Sequence, residues 1–378
     1  MTDPLRVAVV GYSFMGKAHS NAWRNVGAFY PDAPPVVQQV LVGRDPDRVA
    51  TAARRYGWAE SATDWREVVD RDDIDVVDVC TPGHLHAEVA VAALQAGKHV
   101  LVEKPLANTL AESEKMVAAA VSARAAGVQS MVGFNYRRVP ALAAARNLVR
   151  EDRLGTVRQV RLSYLQDWLT DPDAPMTWRL RKESAGSGAL GDLGSHAVDQ
   201  LHSLLGETVN RVSGTLRTFV TERTGPDGPE PVTVDDAAWA TLHTGSGVVA
   251  GLEVSRVAAG RKNGLQVEVY GTSGALRFDL ESLNELQWHD GAEAAGTAGW
   301  TRVLVTEPEH PYLEAWWPPG HVLGWDHTFT SQAADFLTAI TTGTPQEPSF
   351  EDGLAVQRVL AAIEDSAAEG GATLQVSP

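Results

Sequence analysis

Short apolar runs alternate with helically spaced segments through the first third of the chain. "LRVAVVG" (5–11), "VVQQVLVG" (36–43), "DVVDVC" (75–80), "HVLVE" (99–103) and "VQSMVGF" (128–134) read as strands that are apolar almost without interruption. Between them, "GKAHSNAWRNVG", "DPDRVATAARRYG", "HLHAEVAVAALQAG" and "TLAESEKMVAAAVSARAAG" have helical character, with Asp45 placed to cap a helix that starts at Pro46. Strands buried on both faces and joined by helices predict an α/β domain with a doubly wound parallel sheet over residues 1–135. After a helical "PALAAARNLVRE" the period changes to two. Alternating strands at 156–168, 209–220, 235–244, 247–257 and 264–272, with few helices between them, predict an α+β domain over 136–378 with a large, mostly antiparallel open sheet. "TERTGPDGPEPVTV" (221–234) reads as a turn-rich surface loop, and two helical segments, 327–343 and 350–371, close the chain.

Composition narrows the class. A chain of 378 residues, 44% hydrophobic and 21% charged, exceeds one ordinary core and fits two domains. The net charge of −16 is spread along the chain, which argues against nucleic acid and membrane surfaces as partners. Cys80 is the single cysteine, so neither an internal disulfide nor a cysteine-rich metal site is expected, and no metal is assigned. The first strand begins at Leu5, and no apolar run is long enough to span a bilayer; a soluble cytoplasmic protein is the expectation.

Candidate chemistry gathers at the strand ends. In "VAVVGYSFMG", Gly11 and Gly16 occupy the outer positions of a G-x-G-x-x-G loop, Ser13 takes the middle one, and Phe14 and Met15 complete the turn. Such a strand–turn–helix suits the pyrophosphate of a dinucleotide, so a Rossmann domain binding NAD or NADP is expected. Gly43 stands where an acid would hold the adenosine ribose, and Arg44 follows it. That pair leans toward a 2′-phosphate, while stacking of Arg44 on adenine stands as the alternative, so the choice of cofactor is open. Thr81, Pro82 and His86 of "CTPGHLH" fall at the edge of the ligand crevice, with His86 a candidate for the nicotinamide pocket. Glu103 and Lys104 of "LVEKPLANT" follow a buried strand directly, where a lysine needs a polar ligand or partner.

The loop "GYSFMG", the tripeptide "EKP" and "GDLGSHAVDQ" (191–200), in this order and spacing, resemble the Gfo/Idh/MocA oxidoreductase family over nearly the whole chain. "YLQDWLTDPDAPMTWRL" and "WWPPGHVLGWDHTFT" are similar to the branch that holds sugar and inositol dehydrogenases. The resemblance implies a nucleotide-binding domain, a second domain for substrate and oligomer contacts (a homo-oligomer, dimer or tetramer), and hydride transfer at a sugar carbon. Carried over residue by residue, it makes Lys104, Asp192 and His196 the catalytic set, with Glu103 and Lys104 also at the cofactor.

Elementary chemistry agrees with those assignments. In a helix from about Gly191 to Leu205, Asp192, His196 and Asp199 share one face, so Asp192 can orient His196 and stabilise its protonated form. An imidazole is suited to accept an alcohol proton as hydride leaves, and Lys104 can stabilise charge on the same oxygen. Glycines at 188, 191 and 194 would let substrate and nicotinamide approach. Taken alone, without the other motifs, the Asp/His pair reads rather as a surface ion pair; no HExxH or third ligand supports a metal. Tyr136, Gln166, Trp168 and His321 are candidates for contacts to a sugar or cyclic polyol, Gln166 and Trp168 through one face of a strand. The expected activity is oxidation of a ring hydroxyl of a sugar, anhydrosugar or inositol. A glycosidase using NAD transiently and a non-catalytic sugar or NAD(P) sensor are the rivals.

Overall fold

Six strands, β1 (Leu5–Val10), β2 (Val36–Val42), β3 (Glu60–Ala62), β4 (Val76–Val79), β5 (His99–Val102) and β6 (Ser130–Val132), lie side by side in the order β3-β2-β1-β4-β5-β6. Every pair is parallel in the computed structural model, which describes residues 3–377. The doubly wound sheet expected from the apolar runs is present, and both faces of its central strands are covered: Val7, Ala8 and Val9 have no exposed surface. Local signals place the helices. The Asp45 side chain accepts the Arg48 N–H at 3.0 Å at the start of Pro46–Tyr56, and Thr109 and Glu112 form a reciprocal capping box before Leu110–Arg124. β3 and the short helix Trp65–Val69 have no counterpart in the sequence reading, because a three-residue edge strand, Glu-Ser-Ala, carries almost no pattern.

The domain boundary differs from the expected one. One compact unit comprises the chain as far as Arg138 together with Gly324–Leu354; the other comprises Val139–Leu323 and the chain from Ala355 onward. Not all of 136–378 therefore forms the second unit. The reason is packing: Phe329, Ala333, Phe336 and Leu337 of the helix His327–Thr342 are buried in one core with Val9, Trp23, Val26 and Leu41. Polar ties reinforce the return. Asn135 Nδ2 donates to Thr328 Oγ1 at 2.8 Å, and buried Arg138 donates to Asp335 at 2.9 Å.

The second unit is built on nine strands. They are β7 (Val157–Leu165), β8 (Val209–Arg217), β11 (Ala237–Thr244), β12 (Val249–Ser255), β13 (Gly264–Gly271), β14 (Gly274–Asp279), β15 (Glu285–Asp290), β16 (Thr301–Leu304) and β17 (Leu374–Gln375). Their order is β16-β15-β14-β13-β7-β12-β11-β8-β17, antiparallel except for β7 beside β12. Period-two burial is visible: Val160, Leu162 and Tyr164 point inward from β7, while Arg161 and Ser163 fall on the opposite face. The segment expected as a loop, 221–234, instead holds a hairpin, β9 (Glu222–Gly225) with β10 (Gly228–Pro231). Its glycines and prolines mask a strand signal that pairing supplies. β7 also ends three residues early, so Gln166 and Trp168 lie beyond the strand rather than on its face.

The glycine-rich segment opens on a π-helical turn, Leu190–Gly194, that runs into the helix Ser195–Leu205. Buried Asp235 caps this start: its carboxylate accepts the N–H groups of Gly188 at 2.7 Å and Leu190 at 2.8 Å. A Cβ on Gly188 would lie 1.8 Å from the Asp235 carbonyl oxygen. The glycine expected to admit substrate is thus demanded by the protein's own backbone.

His99, at the start of β5, accepts the Gln129 N–H on Nδ1 at 2.9 Å, and burial holds its pKa below the ordinary imidazole value. The unfolded chain therefore takes up the proton first as pH falls, and the folded state loses stability below about pH 6.5. His99→Gln keeps an acceptor and removes the proton. Urea unfolding at about pH 7.5 and pH 5.5 should show a smaller acid loss for H99Q than for the parent chain.

Candidate active site

The loop after β1 is shaped to take a phosphate. Gly11 has φ +112°, and a Cβ there would meet the Cys80 carbonyl oxygen at 2.5 Å; one on Gly16 would meet the Gly11 oxygen at 1.9 Å. The turn is thereby drawn tight against the ends of β1 and β4, and the helix Phe14–Phe29 begins with neither an acidic residue nor a bonded side-chain cap. Its first N–H groups are left for an anion, as a dinucleotide diphosphate requires. Ser13 is exposed at the cap, Met15 is half-buried, and the exposed Phe14 ring stacks on Trp325 at 5.4 Å and 9°. Thr81 Oγ1, at the end of β4 where the strand order reverses, is buried without a hydrogen-bond partner among the described residues. Cradle and orphaned hydroxyl both fit a nucleotide. At the end of β2 the place beside Gly43 is filled: a Cβ there would lie 2.1 Å from the Tyr12 ring. Arg44 is exposed next to it.

Glu103 and Lys104 leave β5 over a buried polar network that sequence reading did not anticipate. His19, on the inner face of the first helix, sets Nδ1 at 2.8 and 3.0 Å from the Asp78 oxygens and Nε2 at 2.8 Å from Glu103 Oε1. Trp23 Nε1 donates to Asp78 at 2.7 Å, and the Cys80 thiol lies 3.7 Å from the same carboxylate. Burial opposes charge on His19, yet the Asp78 carboxylate outweighs it and raises the His19 pKa well above the usual imidazole value. The Cys80 thiol is pushed up by burial, with the Asp78 charge acting in the same direction. His19, Asp78 and Cys80 are close enough to resemble a metal site, but both imidazole nitrogens already face carboxylates and the thiol is kept protonated. One signal was available: Asp78 interrupts an apolar strand, and a buried carboxylate needs a partner.

His86 differs from the pocket-lining residue expected. Its ring is buried between the two loops, with Nδ1 3.0 Å from the Pro105 carbonyl oxygen and Nε2 2.9 Å from that of Thr81. Burial lowers its pKa, so the neutral ring donates to one of the two. Glu103 likewise lies beneath the loop, only 4% exposed, with Oε2 accepting the Lys104 N–H at 3.3 Å. Lys104 is half-buried at the loop's surface, as is Pro82 in the neighbouring one.

In the second unit, Asp192 sits on the π-helical turn, a geometry often found at functional sites, and His196 one turn later is 6% exposed. Buried Arg256, the residue after β12, donates to Asp192 Oδ2 at 3.0 Å and lies 5.4 Å from the centre of the Trp168 ring. The Tyr164 ring meets the His196 ring edge-on at 5.9 Å, while Tyr164 and Gln166 both donate to Asn263 Oδ1, at 2.7 and 2.8 Å. Arg256 therefore links Asp192 to Trp168, while Tyr164 and Asn263 link His196 to Gln166. Sequence reading missed these three: Arg256 just past β12 and Asn263 just before β13 read as solvent-facing, and Tyr164 reads as an ordinary inward residue of β7. Asp199 is fully buried, as is most of the helix that carries it.

Two family models cover most of the chain: an oxidoreductase family with an NAD-binding Rossmann fold over residues 5–134, and the GFO/IDH/MocA C-terminal domain over 142–277. Levoglucosan dehydrogenase of Pseudarthrobacter phenanthrenivorans is 41% identical over 97% of this chain and 96% of its own. The chain belongs to the GFO/IDH/MocA oxidoreductase family. It is an oxidoreductase with an NAD-binding first unit. A crystal structure of levoglucosan dehydrogenase with NADH and L-sorbose superposes with a TM-score of 0.96 at 41% identity, covering all of both chains. An oxidoreductase domain protein from Kribbella flavida gives 0.97 at 52% identity, again over all of both. Of the remaining candidates, Tyr136 is buried in the turn Asn135–Arg138 of the first unit. His321 lies in an exposed loop of the second unit, with Nδ1 2.8 Å from the Pro318 carbonyl oxygen. No helix among the described residues is long and apolar enough to cross a membrane.

Because Gly16 is closed against the Gly11 carbonyl, Gly16→Ala must displace the helix start from its phosphate position. Titration of NADH fluorescence should give a dissociation constant raised at least about tenfold, roughly 1.4 kcal/mol.

Proposed function

We propose that this chain oxidises a ring hydroxyl of a sugar, anhydrosugar or inositol to a ketone, with NAD as hydride acceptor. The observation that carries the reading is the placement of Asp192 and His196 beside a Trp, a Gln and a buried Arg in one unit. A sugar offers an apolar ring face and a hydroxylated rim, which Trp168 and Gln166 suit respectively. Identity of 41% to a levoglucosan dehydrogenase, and 27% to an inositol 2-dehydrogenase of Rhizobium meliloti, supports that substrate class.

Bound NAD supplies the carbon that receives hydride. His196 accepts the hydroxyl proton, and Asp192 keeps the imidazole oriented and stabilises its protonated form. Lys104, carried over from the family motif, supplies a cation that stabilises the negative charge growing in the reaction. Arg256 holds Asp192 in place from behind, and its position over Trp168 links the carboxylate to the ring that would border the sugar. NAD is favoured over NADP because the Tyr12 ring occupies the place beside Gly43.

Levoglucosan, inositols and aldoses, each offered with NAD and with NADP, provide the test, followed by NADH absorbance. Steady NADH release with one substrate class is expected. His196→Ala and Lys104→Ala should each lower kcat by about 10²- to 10⁴-fold while NADH affinity stays within about threefold. NADH that appears and vanishes within a turnover, with cleavage of a glycosidic bond, would overturn the reading. So would sugar binding without turnover that neither substitution alters.

A further inference from the structure

We infer that His19 is a positioning residue for the proposed reaction: bonded to Asp78 on one side and Glu103 on the other, it fixes the Glu103–Pro105 turn that presents Lys104. The inference rests on the reading of Lys104 given above. His19 itself is 2% exposed and lies beneath the loop, so it acts through another group.

The hydrogen count supports a specific state. A neutral imidazole has one N–H and one lone pair, yet both nitrogens here stand 2.8 Å from carboxylate oxygens. A lone pair facing an ionised oxygen at that distance is repulsive, whereas two N–H groups satisfy both contacts. Asp78 further accepts from the Trp23 N–H and lies 3.7 Å from the Cys80 thiol, both donors. The groups facing the ring are Asp78 and Cys80 from the β4 end, Glu103 from the β5 end, and the apolar Phe329 ring at 5.3 Å. An imidazolium enclosed in this way draws two parallel strands' ends together.

That pull has a destination. Glu103 Oε1 is taken by His19 and Oε2 accepts the Lys104 backbone N–H at 3.3 Å, so a single carboxylate passes His19's position on to Lys104. Gly133 leaves room for it: a Cβ there would lie 2.9 Å from Oε1. The His86 ring lies between the carbonyls of the next residue, Pro105, and of Thr81. Remove the His19 cation, and two carboxylates remain buried with one partner fewer between them; Glu103 must then turn, and the lysine with it.

A double-mutant cycle of His19→Gln and Lys104→Ala tests this, with kcat, sugar KM and NADH affinity measured for each variant. H19Q is expected to lower kcat about 10- to 100-fold with KM and NADH affinity within about threefold, and to change the residual rate of K104A less than about twofold. Equal fold losses in the two backgrounds, or a kcat for H19Q within about twofold of the parent, would overturn the inference while leaving the role of Lys104 standing. Full turnover in K104A would instead remove the reading of Lys104 and this inference with it. Neutron diffraction of the unsubstituted protein is a check independent of variant folding. Hydrogens on both His19 nitrogens are expected, and a bare nitrogen facing Glu103 would refute the arrangement.

Discussion

Loops from the carboxyl ends of β1, β4 and β5 are crowded onto one edge of the parallel sheet, and contacts between their residues hold them there. The glycine turn closes on the Cys80 carbonyl, His86 spans from Thr81 to Pro105, and His19 lies between Asp78 and Glu103. Each contact joins two different strand ends. A parallel sheet has no hairpins to fix its loops, so their relative positions depend on side chains like these. The cradle for the nucleotide and the turn bearing Lys104 are consequences of that one cross-bracing.

The second unit solves a similar problem by other means. Asp235 supplies the acceptors that open the π-helical turn, and Arg256 supplies the cation that balances Asp192. Neither residue is adjacent in sequence to what it holds: 47 positions separate Gly188 from Asp235, and 64 separate Asp192 from Arg256. Both are buried, where an unpaired charge is costly, so the pairs stabilise their geometry strongly. Rigidity at Asp192 and His196 therefore originates on the sheet rather than within the helix.

What could be read along the chain was local or periodic. The continuous strands β1 and β2, the Asp45 cap and the Gly11–Gly16 turn all announce themselves within a few residues. The alternation of β11 to β13 did so as well. Edge strand β3 and the Gly/Pro-rich hairpin β9–β10 did not, because their conformation comes from pairing. The same division runs through the site. Lys104, Asp192 and His196 stand in motifs, whereas His19, Asp235 and Arg256 act across 45 to 84 positions and no short window contains them with their partners. Gly188 shows the same limit: a close approach is legible in sequence, but that the Asp235 carbonyl makes it is not.

The return of Gly324–Leu354 to the first unit makes that unit discontinuous in the gene. Its core is completed by Phe329, Phe336 and Leu337, which emerge from the ribosome almost two hundred residues after Arg138. Until then the Trp23 and Val26 side of the first helix lacks that helical cover, although all six strands of the sheet have already been synthesised. A recombinant fragment ending at Arg138 would keep that wound permanently open, whereas a circular permutant joining the late helix to the first strand would close it early.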